Sequence, residues 1–392
     1  MKVLHVIPSY YPAFKFGGPI ESVHLLNKAL VQKEISIDVL TTDAGLENDK
    51  SILLNQWIDL DGVRVKYFPY YFYEHYTFSP QLFFALFHEV KKYDLVHITA
   101  LWNFPVLAGS LGSILCKKSY IISPRGMLYP EAIGIKSKYI KQFYFYLIAK
   151  HYLDRASAIH FTTENEKNNV AGFLNLNNQS FVIPNGLDLT DYKHLPEKGS
   201  FKNKYPVLNG KKYILFLGRI NKQKGLDILV NAFRELSKID KDLYLVIAGP
   251  DNFGYQKEVE KLLRGCGLLE RALFTGMLTK NDKLAAFVDA EIFVLSSYFE
   301  NFGMSVIEAM ACGTPVVISN RVGISHDVEQ NKAGLVADLQ VESLVDKIKM
   351  LITDSHLRDE ISANGRRLVE RKYNIDVVAN NMTIEYEKIL KL

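Results

Sequence analysis

The chain has 392 residues, 48% of them hydrophobic, and a formal net charge of +4 from 47 Lys and Arg against 43 Asp and Glu. That size and apolar content suffice for two cores and predict two or three domains, while so mild a basic excess makes no case for a nucleic-acid partner. Cys116, Cys266 and Cys312 lie far apart without a Cys-x-x-Cys pair, and the 10 histidines show no ligand spacing, so neither a disulfide framework nor a metal site is expected.

No apolar run approaches the roughly 20 residues of a membrane-spanning helix. The opening Met1 to Pro8 is too short an apolar run for a signal peptide, and a reducing cytoplasm is the expected compartment.

In chain order, Val3 to Ile7, Ser36 to Thr41, Val63 to Phe68, Leu95 to Ile98, Tyr120 to Ser123 and Ala158 to Thr162 read as strands. Helical patterns fall between most of them, which is the alternation of a doubly wound parallel sheet. After the first strand, Gly17-Gly18-Pro19 precedes a helix bearing Val23, Leu26, Ala29 and Leu30. Adjacent glycines let backbone approach a ligand closely, and ligands of such sheets bind beyond the carboxyl ends of the strands; taken alone, however, the run reads as an ordinary turn. Asp59-Leu-Asp61 precedes Gly62 and a strand, which is turn chemistry.

Two aromatic tracts follow, Tyr67 to Phe87 and Lys136 to Lys150, the second mixed with lysines. Rings beside Lys suit a membrane interface; a core helix with a solvated basic edge is the plainer reading and the one preferred. Ser123-Pro-Arg125-Gly-Met-Leu128 ends a strand. Arg125 cannot act as a base near neutral pH; it can bind an anionic or polar ligand or form an interdomain salt bridge.

From Pro184 to Lys212 the rhythm breaks at Pro-Asn-Gly, Pro196 and Pro206, and then begins again. The domain joint is placed there, giving a first domain of residues 1–184, a second of 185–373 and a terminal helical segment of 374–392.

Tyr213 to Leu217 reads as a strand, Gly218-Arg219-Ile-Asn-Lys-Gln-Lys224-Gly225 as a glycine-bounded basic loop, and Leu226, Leu229, Val230, Phe233 and Leu236 as one helix face. An Arg and a Lys at the carboxyl end of a strand suit a diphosphate, with charge-assisted bonds of roughly 1.5 to 3 kcal/mol each. The spacing is not that of a P-loop.

Further on, Glu300 falls in a loop after an apolar strand, and Glu308 lies eight residues later on a helix that is otherwise apolar from Ser305 to Cys312. A lone buried carboxylate needs a partner, and the two acids can face one small polar ligand. Asn301 leads into Phe302, Gly303, Met304 and Ser305, whose backbone N–H groups open a helix where an anion binds readily. Gly313 and Thr314-Pro315 end that helix.

Together these segments resemble glycosyltransferase family 4, the retaining, nucleotide-sugar-dependent transferases of GT-B fold. The resemblance runs over nearly the whole chain through Gly-Arg-x4-Lys-Gly at 218 to 225, Val246-Ile-Ala-Gly-Pro250, Phe274-Thr-Gly276 and the Glu-x7-Glu of 300 and 308, with weaker matches at Gly17-Gly18-Pro19 and Ile183-Pro-Asn-Gly-Leu-Asp188. It implies an α/β chain of two Rossmann-like domains facing a central cleft, with 374–392 crossing back to the first.

By the same resemblance Arg219, Lys224 and Glu300 are catalytic, the cations on the donor diphosphate and Glu300 on the sugar hydroxyls. Glu308 would bind the ribose and backbone near Gly276 and Met277 the base. Gly17, Gly18, Arg125, Asn185 and Asn301 through Ser305 would complete the donor site. Many relatives carry a His where this chain has Arg125. Retaining transfer needs no protein base, because the departing phosphate oxygen can take the acceptor's proton on the same face, leaving the protein to position reactants and stabilise charge. Asp59-Leu-Asp61 also matches a metal-binding Asp-x-Asp of another glycosyltransferase fold, but the turn reading is preferred.

The implied activity moves a hexose-type sugar from a UDP- or GDP-sugar, as co-substrate without a further cofactor, to a glycan or lipid-linked glycan hydroxyl in surface polysaccharide assembly. Peripheral contact with the inner face of a membrane goes with a lipid-linked acceptor. The alternatives are a nucleotide-sugar 2-epimerase of the same fold and a non-catalytic sugar-nucleotide-binding subunit.

Overall fold

The computed structural model describes residues 1–47, 49, 51–129, 143–174, 178–251 and 253–391. The chain divides into two compact units, Met1–Gly186 with Ile375–Leu392, and Leu187–Asn374.

The first unit is built on an eight-stranded sheet of order β3-β4-β2-β1-β5-β6-β7-β8. Its strands are β1 (Lys2–Ser9), β2 (Ser36–Thr42), β3 (Trp57–Leu60), β4 (Val63–Phe68), β5 (Leu95–Thr99), β6 (Ser119–Ser123), β7 (Ala158–Phe161) and β8 (Gln179–Val182). All pair in parallel except β3, which joins β4 antiparallel at one edge. The central strands are buried along almost their whole length because helices cover both faces.

On one face lie the helices Gly18–Gln32 and Ile375–Lys391, packed together. The terminal helix buries Ile375, Val378, Ala379, Met382, Tyr386 and Ile389, a single stripe at helical spacing, against Val3, Val23 and Leu26. On the other face Pro80–Glu89 packs on Phe104–Leu115.

Strands β3 and β8 escape sequence reading for a physical reason. They are edge strands of four residues whose positions are half-exposed or exposed, so neither presents a continuous apolar run. The turn at Asp59 to Gly62 joins β3 to β4 with two left-handed residues, Asp61 at φ 55° and Gly62 at 83°, and Asp59 Oδ1 accepts the Gly62 N–H at 3.0 Å.

The aromatic tract from Tyr67 splits between core and surface: Tyr67, Phe68, Leu82 and Leu86 are buried, while Phe72, Tyr73 and Phe84 are exposed. Of the second tract, residues 136–142 lie outside the described residues. From 143 onward Phe145 and Ala149 face the core and Phe143, Tyr146 and Leu147 face solvent. Among the described residues no helix is long and apolar enough to cross a membrane.

The second unit carries a six-stranded, all-parallel sheet of order β11-β10-β9-β12-β13-β14. Its strands are β9 (Lys212–Leu217), β10 (Leu243–Ala248), β11 (Ala272–Gly276), β12 (Ile292–Leu295), β13 (Val316–Ser319) and β14 (Leu335–Ala337). The helix Leu226–Ile239 buries Leu226, Leu229, Val230, Phe233 and Leu236, the face its spacing predicts. The sheet order reverses between β9 and β12, so loops after these two strands flank a switch point, the place where ligands of open α/β sheets bind.

Candidate active site

The loop after β9 is tied to its neighbours by backbone. Gly218 N–H donates to Ala248 O at 3.0 Å and Ile220 N–H to Pro250 O at 2.9 Å. A Cβ on Gly249, at φ 135°, would fall 1.9 Å from Gly218 O, so only glycine allows this approach. Gly249 N–H in turn reaches Gly276 O at 2.8 Å, which draws together the carboxyl ends of β9, β10 and β11. Gly276 ends β11 at φ 66°, and Met277 beside it is exposed.

At its far end the loop is clamped to the segment after β12. Gly225 sits at φ 64° with room for no side chain, since a Cβ would lie 2.0 Å from Ser296 O. Ser296 Oγ donates to Gly225 O at 2.8 Å, and Tyr298 N–H to Gln223 O at 2.8 Å. This clamp brings Lys224 against Glu300, 76 positions away in sequence, as a direct ion pair of Nζ and Oε2.

Glu300 is also fixed through its backbone, with its N–H on Arg321 O at 3.2 Å and its carbonyl accepting from Gly323 at 2.8 Å. Burial by itself would raise its carboxyl. Lys224, the Phe302 N–H and Arg219 outweigh that and hold it below the usual carboxylate range. Arg219 itself is exposed at the mouth of the loop.

Glu308 stands on the helix Met304–Cys312, which begins at Gly303 with φ 103° and ends at Gly313 with φ 77°. The partner that a carboxylate in this setting requires is Lys283, whose Nζ donates to Oε1 at 2.8 Å. Sequence reading missed Lys283. It lies 25 residues upstream on the polar helix Lys280–Asp289, outside every motif, and no local signal marks it. Each glutamate therefore has its own lysine. On the same helix burial pushes the Cys312 thiol up to about 12, so it is not a reactive thiolate.

The remaining candidates belong to the first unit. Gly17, at φ 82°, caps the helix that begins with the exposed Gly18. Arg125 and Asn185, 60 positions apart, meet through Nη1 and Oδ1. Arg125 takes a left-handed backbone, φ 52°, and among the described residues its buried Nε–H has no acceptor and the side chain forms no salt bridge. Burial lowers its guanidinium to about 10 although Glu166 favours the charge. Asp61, the second acid of the Asp-x-Asp, accepts from His24 Nε2 at 3.0 Å, and among the described residues no cluster of His, Cys, Asp and Glu is arranged to hold a metal.

Two parallel α/β units with glycine-bounded loops at the carboxyl ends of their strands define a GT-B protein. The family description Glycosyltransferase Family 4 matches residues 16–191 and Glycosyl transferases group 1 matches residues 197–368. The chain belongs to that family, and it is a glycosyltransferase of the retaining, nucleotide-sugar-dependent kind.

It is 26% identical over 310 residues to the uncharacterized glycosyltransferase MJ1607 of Methanocaldococcus jannaschii, covering 77% of each chain. To the phosphatidyl-myo-inositol mannosyltransferase of Mycobacterium leprae it is 30% identical over 217 residues, 55% of each. In fold it is similar to HepE of Anabaena, solved with UDP and glucose, with a TM-score of 0.77, 20% identity and coverage of 99% and 100%.

Proposed function

We propose that this transferase moves a hexose-type sugar from a UDP- or GDP-sugar to a hydroxyl of a glycan or lipid-linked glycan, as a step of surface polysaccharide assembly. The observation that carries the reading is the Lys224–Glu300 pair, held by the glycine clamp at the switch point with Arg219 beside it. Arg219 and Lys224 meet the donor diphosphate and stabilise the charge that grows on it as the glycosidic bond breaks. Glu300 reads the sugar hydroxyls, Glu308 the ribose, and backbone at Gly276 and Met277 the base. Gly303 to Ser305, at the start of an apolar helix, add N–H donors for the diphosphate.

Arg125, Asn185, Gly17 and Gly18 are further donor-binding residues in this reading. The departing phosphate oxygen takes the acceptor's proton on the face where the new bond forms, which keeps the anomeric configuration and asks no protein residue to act as base. The exposed rings Phe72, Tyr73, Phe84, Phe143 and Tyr146 favour a lipid-linked acceptor and peripheral work at the inner membrane face.

The test is a panel of UDP-, GDP- and ADP-sugars assayed for sugar transfer with and without glycan acceptors, and calorimetric titration of the three free diphosphates. Acceptor-dependent transfer with retained configuration from one nucleotide class is expected. Release of a 2-epimeric sugar, or donor binding without turnover on any acceptor, would overturn the reading.

A further inference from the structure

Arg125 is presented by an unusual piece of backbone. Its φ of 52° is followed by 81° at Gly126, two successive residues in the left-handed region, where an arginine is held only if the surroundings hold it. The rest of the turn supplies part of that hold: Met127 N–H reaches Pro124 O at 3.0 Å, and Trp102 Nε1–H reaches Met127 O at 3.1 Å. The remainder comes from Glu166, three residues after the helix cap Thr163.

Glu166 is wholly buried. Oε1 accepts the Gly126 N–H, and Oε2 accepts both the N–H and the hydroxyl of Thr162 at 2.9 Å. Its own N–H donates to Thr163 Oγ1 at 3.0 Å, the cap of the helix Glu164–Phe173. One side chain thus joins the end of β7, the start of that helix and the turn after β6. Its negative charge also favours the buried guanidinium of Arg125, which has no carboxylate in ion-pair contact among the described residues.

We propose that Glu166 is the positioning residue of Arg125: it fixes the Pro124 to Gly126 turn through the Gly126 N–H and compensates the guanidinium charge, so that Arg125 stands beside Asn185 in the orientation that meets the donor. This rests on the reading of Arg125 as a donor-site residue. Thr163 and Glu166 have the spacing of a capping box, in which the carboxylate would turn back to the Thr163 N–H; here its oxygens accept instead from Thr162 and from Gly126 of the Arg125 turn.

The experiment is a double-mutant cycle in the full chain with Arg125→Ala, Glu166→Gln and the pair, reading kcat, donor KM and melting temperature. Glu166→Gln should lower kcat/KM for the donor about tenfold in the wild-type background and by less than about twofold when Arg125 is already Ala. Thr162→Val, which removes one bond to the same carboxylate, should show a smaller loss with the same dependence on Arg125 and keeps the question open to measurement if Glu166→Gln folds poorly. An equal loss in both backgrounds, following melting temperature, would make Glu166 a structural cap and overturn the proposal. Arg125→Ala with wild-type kinetics would instead refute the donor-site role of Arg125, a distinct result, and the positioning role would fall with it.

Discussion

Lowering the pH from 7.5 to 5.0 should destabilise the first unit by about 4 kcal/mol through two histidines alone. His5 lies between Asn27 Oδ1 at 3.0 Å and Thr99 Oγ1 at 2.8 Å and stacks on His97 with centroids 4.7 Å apart. His97 meets the Tyr386 hydroxyl at 2.7 Å and His160 at 3.4 Å, and His160 also meets Ile183 O at 2.9 Å. Burial pushes all three imidazoles down, and the Arg125 charge adds to it. His5 falls to about 4 and His160 to about 3, while His97 is well below its ordinary value.

The sign follows from proton counting. Above pH 6.5 the imidazoles are neutral in both states and the stability they permit is complete. As the pH falls through 6.5 the unfolded chain binds protons that the folded chain refuses, and stability drops until the folded values are reached. At pH 5.0 each of His5 and His160 contributes a loss of about 2 kcal/mol. His97 and His24 act in the same direction; Asp43 and Glu166, raised by burial, act in the opposite one.

The 2 tryptophans of the chain, Trp57 and Trp102, both belong to the first unit, so their fluorescence follows its unfolding in urea. With a slope of about 2 kcal/mol per molar the midpoint should fall by about 2 M between the two pH values. His5→Gln should remove about half of that dependence. A midpoint that moves less than about 0.5 M, or a dependence that His5→Gln leaves whole, would show that these imidazoles are not held neutral.

Three further outcomes concern the chemistry. Lys224→Ala and Arg219→Ala should each lower kcat by roughly 30-fold to 1000-fold with little change in acceptor KM, because both meet charge that grows in the transition state; wild-type turnover would remove them from the site. Activity should survive EDTA, and a complete loss restored by manganese would return Asp59 and Asp61 to consideration as ligands. In calorimetry, Glu308→Gln should weaken the free nucleoside diphosphate as well as the sugar donor by about 1 to 3 kcal/mol, whereas Glu300→Gln should weaken only the sugar donor; equal losses for the free diphosphate would abolish the division between them.

What was legible in the sequence was whatever repeats locally. The buried strands of both sheets and the helix Leu226–Ile239 show as runs and stripes because burial on two faces or one imposes that pattern directly on neighbouring residues. The glycines of the 218 to 225 loop were legible as loop bounds, but the reason for Gly225 lies in Ser296 O, 71 positions away, and sequence spacing cannot show it. Partners were the hardest to read. Lys283 for Glu308, Glu166 for the Arg125 turn and the stacked histidines of β1 and β5 all depend on tertiary closure, and none leaves a periodic mark.

The ion pairs also change how the site residues divide their work. The family resemblance assigns Lys224 to phosphate and Glu300 to sugar as though they were independent, yet the clamp places them in contact. An ammonium has three donors, so a lysine that serves Glu300 with one keeps two for phosphate oxygens. The carboxylate, held below its usual range, keeps lone pairs for hydroxyls. The pair can therefore span the bond between sugar and diphosphate as a single element. Removing either member strips a partner from the other in a part-buried setting, where an uncompensated charge is strongly unfavourable. Single substitutions at 224 or 300 thus include the cost of breaking the pair, and the double variant measures that shared part.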